Sequence, residues 1–192
     1  MTLPGFHSPA IGFEQPFEML SACHERVERT LALFERLVVH VRAQGHDAAL
    51  RSAAADVLRY FDLAAPHHHQ DEERHVLPRL RASGVADALA LADTLEDEHR
   101  RMEQLWARLR EPLILWREAP DGEEGDGPGR DFPLEAERQA WAALYAGHIE
   151  AEEGRAYPQA RASIDAQPGA AETLADIGAE MAARRRTPRG VA

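Results

Sequence analysis

Ten histidines stand in this 192-residue chain, and five of them, His24, His68, His69, His99 and His148, have a glutamate four residues later, respectively Glu28, Glu72, Glu73, Glu103 and Glu152. Glutamate is roughly a ninth of the chain, so chance supplies about one such pair, although pairing on helix surfaces also enriches this spacing. Four residues along a helix turn the direction by only about 40° and climb about 6 Å, so an imidazole and a carboxylate so spaced converge on one point beside the helix. One pair is half a metal site. Mixed imidazole and carboxylate donors suit iron, manganese or zinc, and the absence of clustered cysteine argues against a zinc finger or an iron–sulfur cluster.

Four long amphipathic helices must position these pairs. Leu20, Val27, Leu31, Phe34 and Val38 share one side of a helix over about 16–43, opened by Pro16 and ended by Gly45. A second pattern runs from Asp47 to about Ala82, bent by Pro66 and Pro78. A third runs from Val85 to about Trp116, and a fourth from Leu134 to Ser163 carries Trp141, Leu144, Tyr145 and Ile149. The Gly-, Pro- and acid-rich stretch over 119–132 between the last two reads as a flexible loop, and a weaker fifth helix spans about 170–185. With no period-two alternation of β-branched residues, the fold class is all-α, an antiparallel up-and-down four-helix bundle with an additional C-terminal helix. The division is an N-terminal arm over 1–15, the bundle over 16–163, and a C-terminal helix with a basic tail over 164–192.

The pairs fall on all four bundle helices, so facing helices can converge on one cavity. Buried imidazoles and carboxylates are costly unless paired or metal-bound, and metal ligation offsets that cost for several groups at once. The device repeats: His68-His69-Gln70-Asp71-Glu72-Glu73 is followed by Pro78, and His148-Ile149-Glu150-Ala151-Glu152-Glu153 by Pro158 at the same offset. His67, His68 and His69 point about 100° apart in succession and cannot all face one cavity on a regular helix. His68 has the proline register behind it, and His69 with Glu73 is the alternative register.

These residues resemble the hemerythrin HHE family, whose pattern is one histidine on the first helix and His-x-x-x-Glu or similar pairs on the later ones. The resemblance covers about 17–158. It implies as ligands His24, His68, Glu72, His99, His148 and either Glu152 or Glu153. Glu103 stands where hemerythrin carries a second third-helix histidine, so the site resembles the glutamate-rich bacterial branch. The implied cofactor is a pair of oxo- or hydroxo-bridged iron ions with about one position open to oxygen, nitric oxide or peroxide, and manganese or zinc would suit the same donors. An anionic Glu103 ligand would favour ferric iron, which implies a sensor, scavenger or oxidant-consuming enzyme rather than an oxygen carrier. A ferritin-like reading rests on Glu72-x-x-His75 and Glu96-x-x-His99 but leaves the fourth helix without such a pair. A metal-free interaction bundle is the bland alternative.

Composition narrows the partners. Thirty-three acidic residues against 22 basic ones give a formal charge of -11, which repels nucleic acid and anionic membranes. The basic run Arg184-Arg185-Arg186 reads as a solvated end. Cys23 is alone, the first residues do not read as a signal peptide, and no apolar run approaches membrane-spanning length. The expectation is a cytoplasmic protein with a small gaseous or peroxide ligand, and oligomerisation is left open.

Overall fold

The computed structural model describes residues 12–119 and 132–186, and over these it is all-helical. The loop expected over 119–132 lies almost wholly outside the described residues, as do most of the N-terminal arm and the end of the basic tail. Eight α-helices follow in order: α1 (Pro16–Gln44), α2 (Ala48–Arg59), α3 (Ala65–His75), α4 (Leu77–Ala82), α5 (Ala86–Glu118), α6 (Glu135–Ala151), α7 (Tyr157–Asp165) and α8 (Ala170–Arg186). Single π turns at Tyr60–Ala64 and Glu152–Ala156 join α2 to α3 and α6 to α7 without a loop. The rods are therefore α1, α2–α4, α5, α6–α7 and α8. No described helix is long and apolar enough to cross a membrane.

Local chemistry accounts for the ends. Pro16 sits in the first turn of α1, where its missing amide hydrogen is no loss. Gly45 ends α1 at φ 77°, its amide donating to Val41 O at 3.0 Å. Asp47 caps α2 by accepting from the Leu50 amide at 2.7 Å and also meets His40 Nε2 at 3.0 Å. Replacing Asp47 with alanine is expected to cost about 1 kcal/mol in chemical denaturation, the usual worth of such a cap.

Both π turns end two residues before a proline, at Ala64 before Pro66 and at Ala156 before Pro158. A proline inside a helix removes one hydrogen bond and crowds the carbonyl four residues back, and the wider turn relieves both. The bend expected at Pro78 appears as the break at Val76 between α3 and α4.

The apolar stripes meet in two clusters. One gathers Phe34, Val41, Leu58, Phe61, Trp106, Leu113 and Trp141, and the other Leu20, Leu77, Leu95, Ala160, Ile164 and Met181. Between them the interior is polar. His24 continues the buried stripe of α1 between Leu20 and Val27, and His99 that of α5 between Leu95 and Met102. These histidines must face inward because their helices bury the residues a turn away on either side.

The C-terminal helix packs on α1, α3 and α7. Gly178 makes the approach possible, since a Cβ there would meet Phe13 O at 1.8 Å. The basic run differs from the expected solvated end. Asp71 is wholly buried and accepts from Arg184 Nε at 2.6 Å and Arg185 Nη1 at 2.7 Å, while Arg184 also meets His75 Nε2 at 2.8 Å. A carboxylate taken out of water needs cationic partners, and α8 supplies them from a distance that helical periodicity does not reveal.

Candidate metal centre

Six side chains from four rods converge in the polar layer. His24 comes from α1, His68 and Glu72 from α3, His99 from α5, His148 from α6 and Glu152 from the π turn that follows it. All six are at most 3% exposed. They form two overlapping groups, His24, His68, Glu72 and Glu152, then Glu72, His99, His148 and Glu152, in each of which the donor atoms lie within 4.8 Å of one another.

The two glutamates belong to both groups, and each divides its oxygens between them. Glu72 Oε1 lies 3.1 Å from His68 Nε2 and 3.8 Å from His24 Nε2, while its Oε2 lies 3.4 Å from His99 Nε2. Glu152 Oε2 lies 3.1 Å from His24 Nε2, while its Oε1 lies 3.2 Å from His148 Nε2. The geometry is that of two carboxylates laid across a pair of two-histidine subsites.

Outside this ring, further carboxylates hold the histidines. Glu153 meets His24 Nδ1 at 2.9 Å, Glu73 meets His99 Nδ1 at 3.0 Å, and Glu98 meets His148 Nδ1 at 2.8 Å. Each fixes its imidazole so that Nε2 faces the cavity, which also raises the basicity of that nitrogen. The repeated His-x-x-x-Glu-Glu motif thereby acquires a structural meaning. Its first glutamate spans the two subsites, and its second orients the histidine of another rod. The relation breaks where Cys23 precedes His24 in place of the Glu98 that precedes His99, and His68 Nδ1 has no hydrogen-bond partner. Substituting Glu153 with glutamine is expected to weaken metal binding about 10- to 100-fold, with metal at the His24–His68 side lost first in a competition titration.

Electrostatics follow from the crowding. Burial alone would lower His24, but the carboxylates of Glu152 and Glu72 outweigh it and raise the imidazole to about 11. Against the same effect of burial, Glu72 and Glu73 raise His99 to about 10, and Glu152 and Glu98 raise His148 to about 9. Burial prevails at His68, which is lowered. Burial would raise Glu72, yet His68, His24 and His99 hold it well below the usual carboxylate range.

Neither oxygen of Glu152, nor Oε2 of Glu72, has a hydrogen bond of good geometry, although both carboxylates are fully buried and these oxygens lie 3.1 to 3.4 Å from the imidazoles of His24, His148 and His99. Buried carboxylate oxygens without good hydrogen bonds are costly, and cations at the two subsites would satisfy all three. The residues fit a pair of metal ions.

Glu103 is not brought into this group. It lies one turn beyond His99, where the interior layer is apolar, with Phe61, Met102 and Trp106, and its side chain is exposed. The inner position at this end is filled by His69, whose ring stacks on that of His99 with centroids 4.1 Å apart and planes at 10°. His68 and His69 are both buried, on either side of the direction in which α3 faces the interior. Burial holds His69 well below the ordinary histidine range, so it is neutral.

Of Glu152 and Glu153, the first lies between the two histidine pairs and the second behind His24. One neighbour escaped sequence reasoning altogether. The Tyr157 hydroxyl meets His24 Nε2 at 3.1 Å and donates to Glu72 Oε1. On a regular helix nine residues of about 100° each would put Tyr157 on the face opposite His148. The π turn absorbs one residue and swings it back. Burial, with Glu152 and Glu72 beside it, pushes the phenol well above its usual range, so it keeps its proton.

The fold is a helical bundle, and its buried His/Glu groups could hold a metal ion. Residues 15–180 match the hemerythrin HHE cation-binding domain, and the chain belongs to that family. A curated protein of Haemophilus influenzae, described as uncharacterized, is 32% identical over 97 residues that cover 50% of this chain and 56% of that protein. The chain thus aligns with little more than half the length of this relative.

Proposed function

We propose that the chain binds two iron ions across Glu72 and Glu152 and serves as a sensor or scavenger of a small ligand such as oxygen, nitric oxide or peroxide. The observation that carries this reading is the sharing of both buried carboxylates between two pairs of histidines. Each subsite offers two imidazole nitrogens and two carboxylate oxygens, which leaves a metal ion short of six donors and free to take a further ligand. Iron bound there supplies redox chemistry and exchangeable coordination positions.

Glu103, being outside the group, gives no support to a ferric preference. Support for ligand binding comes instead from the buried, histidine-rich interior, where Glu73, Glu98 and Glu153 hold the imidazoles in place and two apolar clusters flank them. The lone cysteine fits a reducing cytoplasm.

Tyr157 favours a second reading, an oxidant-consuming enzyme. Its hydroxyl donates to Glu72 Oε1 and lies beside His24 Nε2, where it can hydrogen-bond a reacting ligand. Optical titration of the iron-loaded protein separates the two. A saturable, reversible change with nitric oxide or oxygen supports the sensor, and steady consumption of peroxide by substoichiometric protein supports the enzyme. An iron-loaded protein that responds to none of the three contradicts both.

A further inference from the structure

A cavity of about 150 Å³ lies at the end of the site occupied by His69. Its walls are Phe61, Met102 and Trp106, its floor is His69 with Tyr145, and Ala107 stands at its exposed rim. Two charged side chains line it: Arg110 donates to Asp62 at 3.1 and 3.2 Å, as Trp106 Nε1 does at 2.8 Å, while the exposed Glu103 carboxylate stands at the rim. A cavity of this size with apolar walls has room for small guests up to roughly the size of benzene.

The floor is polar and unsatisfied. His69 is 5% exposed, and neither ring nitrogen has a hydrogen-bond partner. A buried imidazole without partners is costly, and in either neutral tautomer it carries one N–H donor and one acceptor. Its ring lies flat against His99, one of the two histidines of the second subsite, and its centroid is 6.3 Å from that of the other, His148. His69 thus stands between the cavity and the His99–His148 pair without belonging to either ligand group.

We propose that this cavity is the docking pocket and access route for a small uncharged ligand, that the ligand reaches the subsite of His99 and His148 rather than that of His24 and His68, and that His69 is the hydrogen-bonding group that meets it there. The proposal rests on the di-metal reading above and adds which subsite reacts and which side chain receives the ligand. A passage with apolar walls and the Glu103 carboxylate at its rim favours uncharged diatomics and peroxide over anions. The opposite side of the centre is more highly charged, since the groove reaching Tyr157 carries Glu18, Glu25, Glu153 and Arg161.

The test is stopped-flow binding of nitric oxide to the iron-loaded ferrous protein, with iron content measured on every variant. Ala107→Trp, at the exposed rim, is expected to slow association at least tenfold while iron content and the final spectrum stay as in wild type. Ala22→Trp, in the groove at Tyr157, is expected to leave the rate unchanged. His69→Phe keeps the packing and loses the donor, so dissociation is expected to quicken about tenfold, with partial recovery in His69→Gln. Xenon-pressurised crystals, which need no metal, are expected to show an atom beside His69. The proposal is overturned if Ala22→Trp slows binding and Ala107→Trp does not, or if His69→Phe loses an iron, which would make His69 a ligand. A wild-type chain that holds no iron, with xenon still beside His69, locates the failure in the di-metal reading and removes the ligand step with it.

Discussion

Glu72→Ala is expected to release both metal ions, not one. Because Oε1 of Glu72 serves the His24–His68 side and Oε2 the His99 side, removing this carboxylate takes a donor from each subsite at once. It also strips negative charge from beside His24, His68 and His99. Affinity should fall by more than about 100-fold at both subsites, beyond the 10- to 100-fold typical of losing an outer hydrogen-bond partner. His24→Ala removes a donor from one subsite only, and about one metal per chain should remain. Quantitative metal analysis of the two variants checks this directly. Equal losses in both would mean that the subsites are not joined through Glu72.

The second large effect is on pH. His24, His99 and His148 are raised from 6.5 to about 11, 10 and 9 in the folded metal-free chain, so above pH 6.5 that chain keeps protons that the unfolded chain has released. The stability contributed by these groups is therefore fully present below pH 6.5 and is lost as pH rises through 9, 10 and 11. Glu72 works the other way. Its carboxyl is held below 4.5, so its contribution is present above that value and is lost as pH falls through its lower folded value. His68 and His69, held below 6.5 by burial, likewise lose their contribution as pH falls below 6.5, so the metal-free chain is expected to be most stable near pH 6.5.

Metal binding must displace the protons held on the three histidines, so metal affinity rises with pH over the range in which metal-free stability falls. The gap in Tm between metal-loaded and metal-free protein is expected to widen by at least about 5 °C from pH 6 to pH 9, the shift that roughly 1–2 kcal/mol produces in a chain of this length. Paired thermal melts at the two pH values measure it. A constant or narrowing gap would mean that the imidazoles are not protonated in the metal-free fold.

The helices and most of the site were legible because they follow regular periodicity. His24 and His99 sit within apolar stripes, and the four-residue spacings of His68 to Glu72 and His148 to Glu152 survive in the folded chain. Where the helix departs from regularity, sequence reading loses the register. The π turn at Glu152–Ala156 decides that Tyr157 faces the site, and nothing in the spacing announces it. Glu103 has the same spacing but is exposed and lies outside the clustered group, lining instead the cavity beside His69. The outer carboxylates were hidden for another reason. Glu153 and His24 are 129 residues apart, and only the assembled bundle shows that the second glutamate of each repeated motif orients a histidine on another rod.

Glu72 and Glu152 together are expected to hold two iron ions. Crystals of protein from iron-supplied cells, with anomalous data collected on either side of the iron edge, test it most directly. Two iron peaks are expected, one facing His24 and His68, the other facing His99 and His148, each in contact with both carboxylates. A single peak, or a peak touching only one of Glu72 and Glu152, would contradict the account.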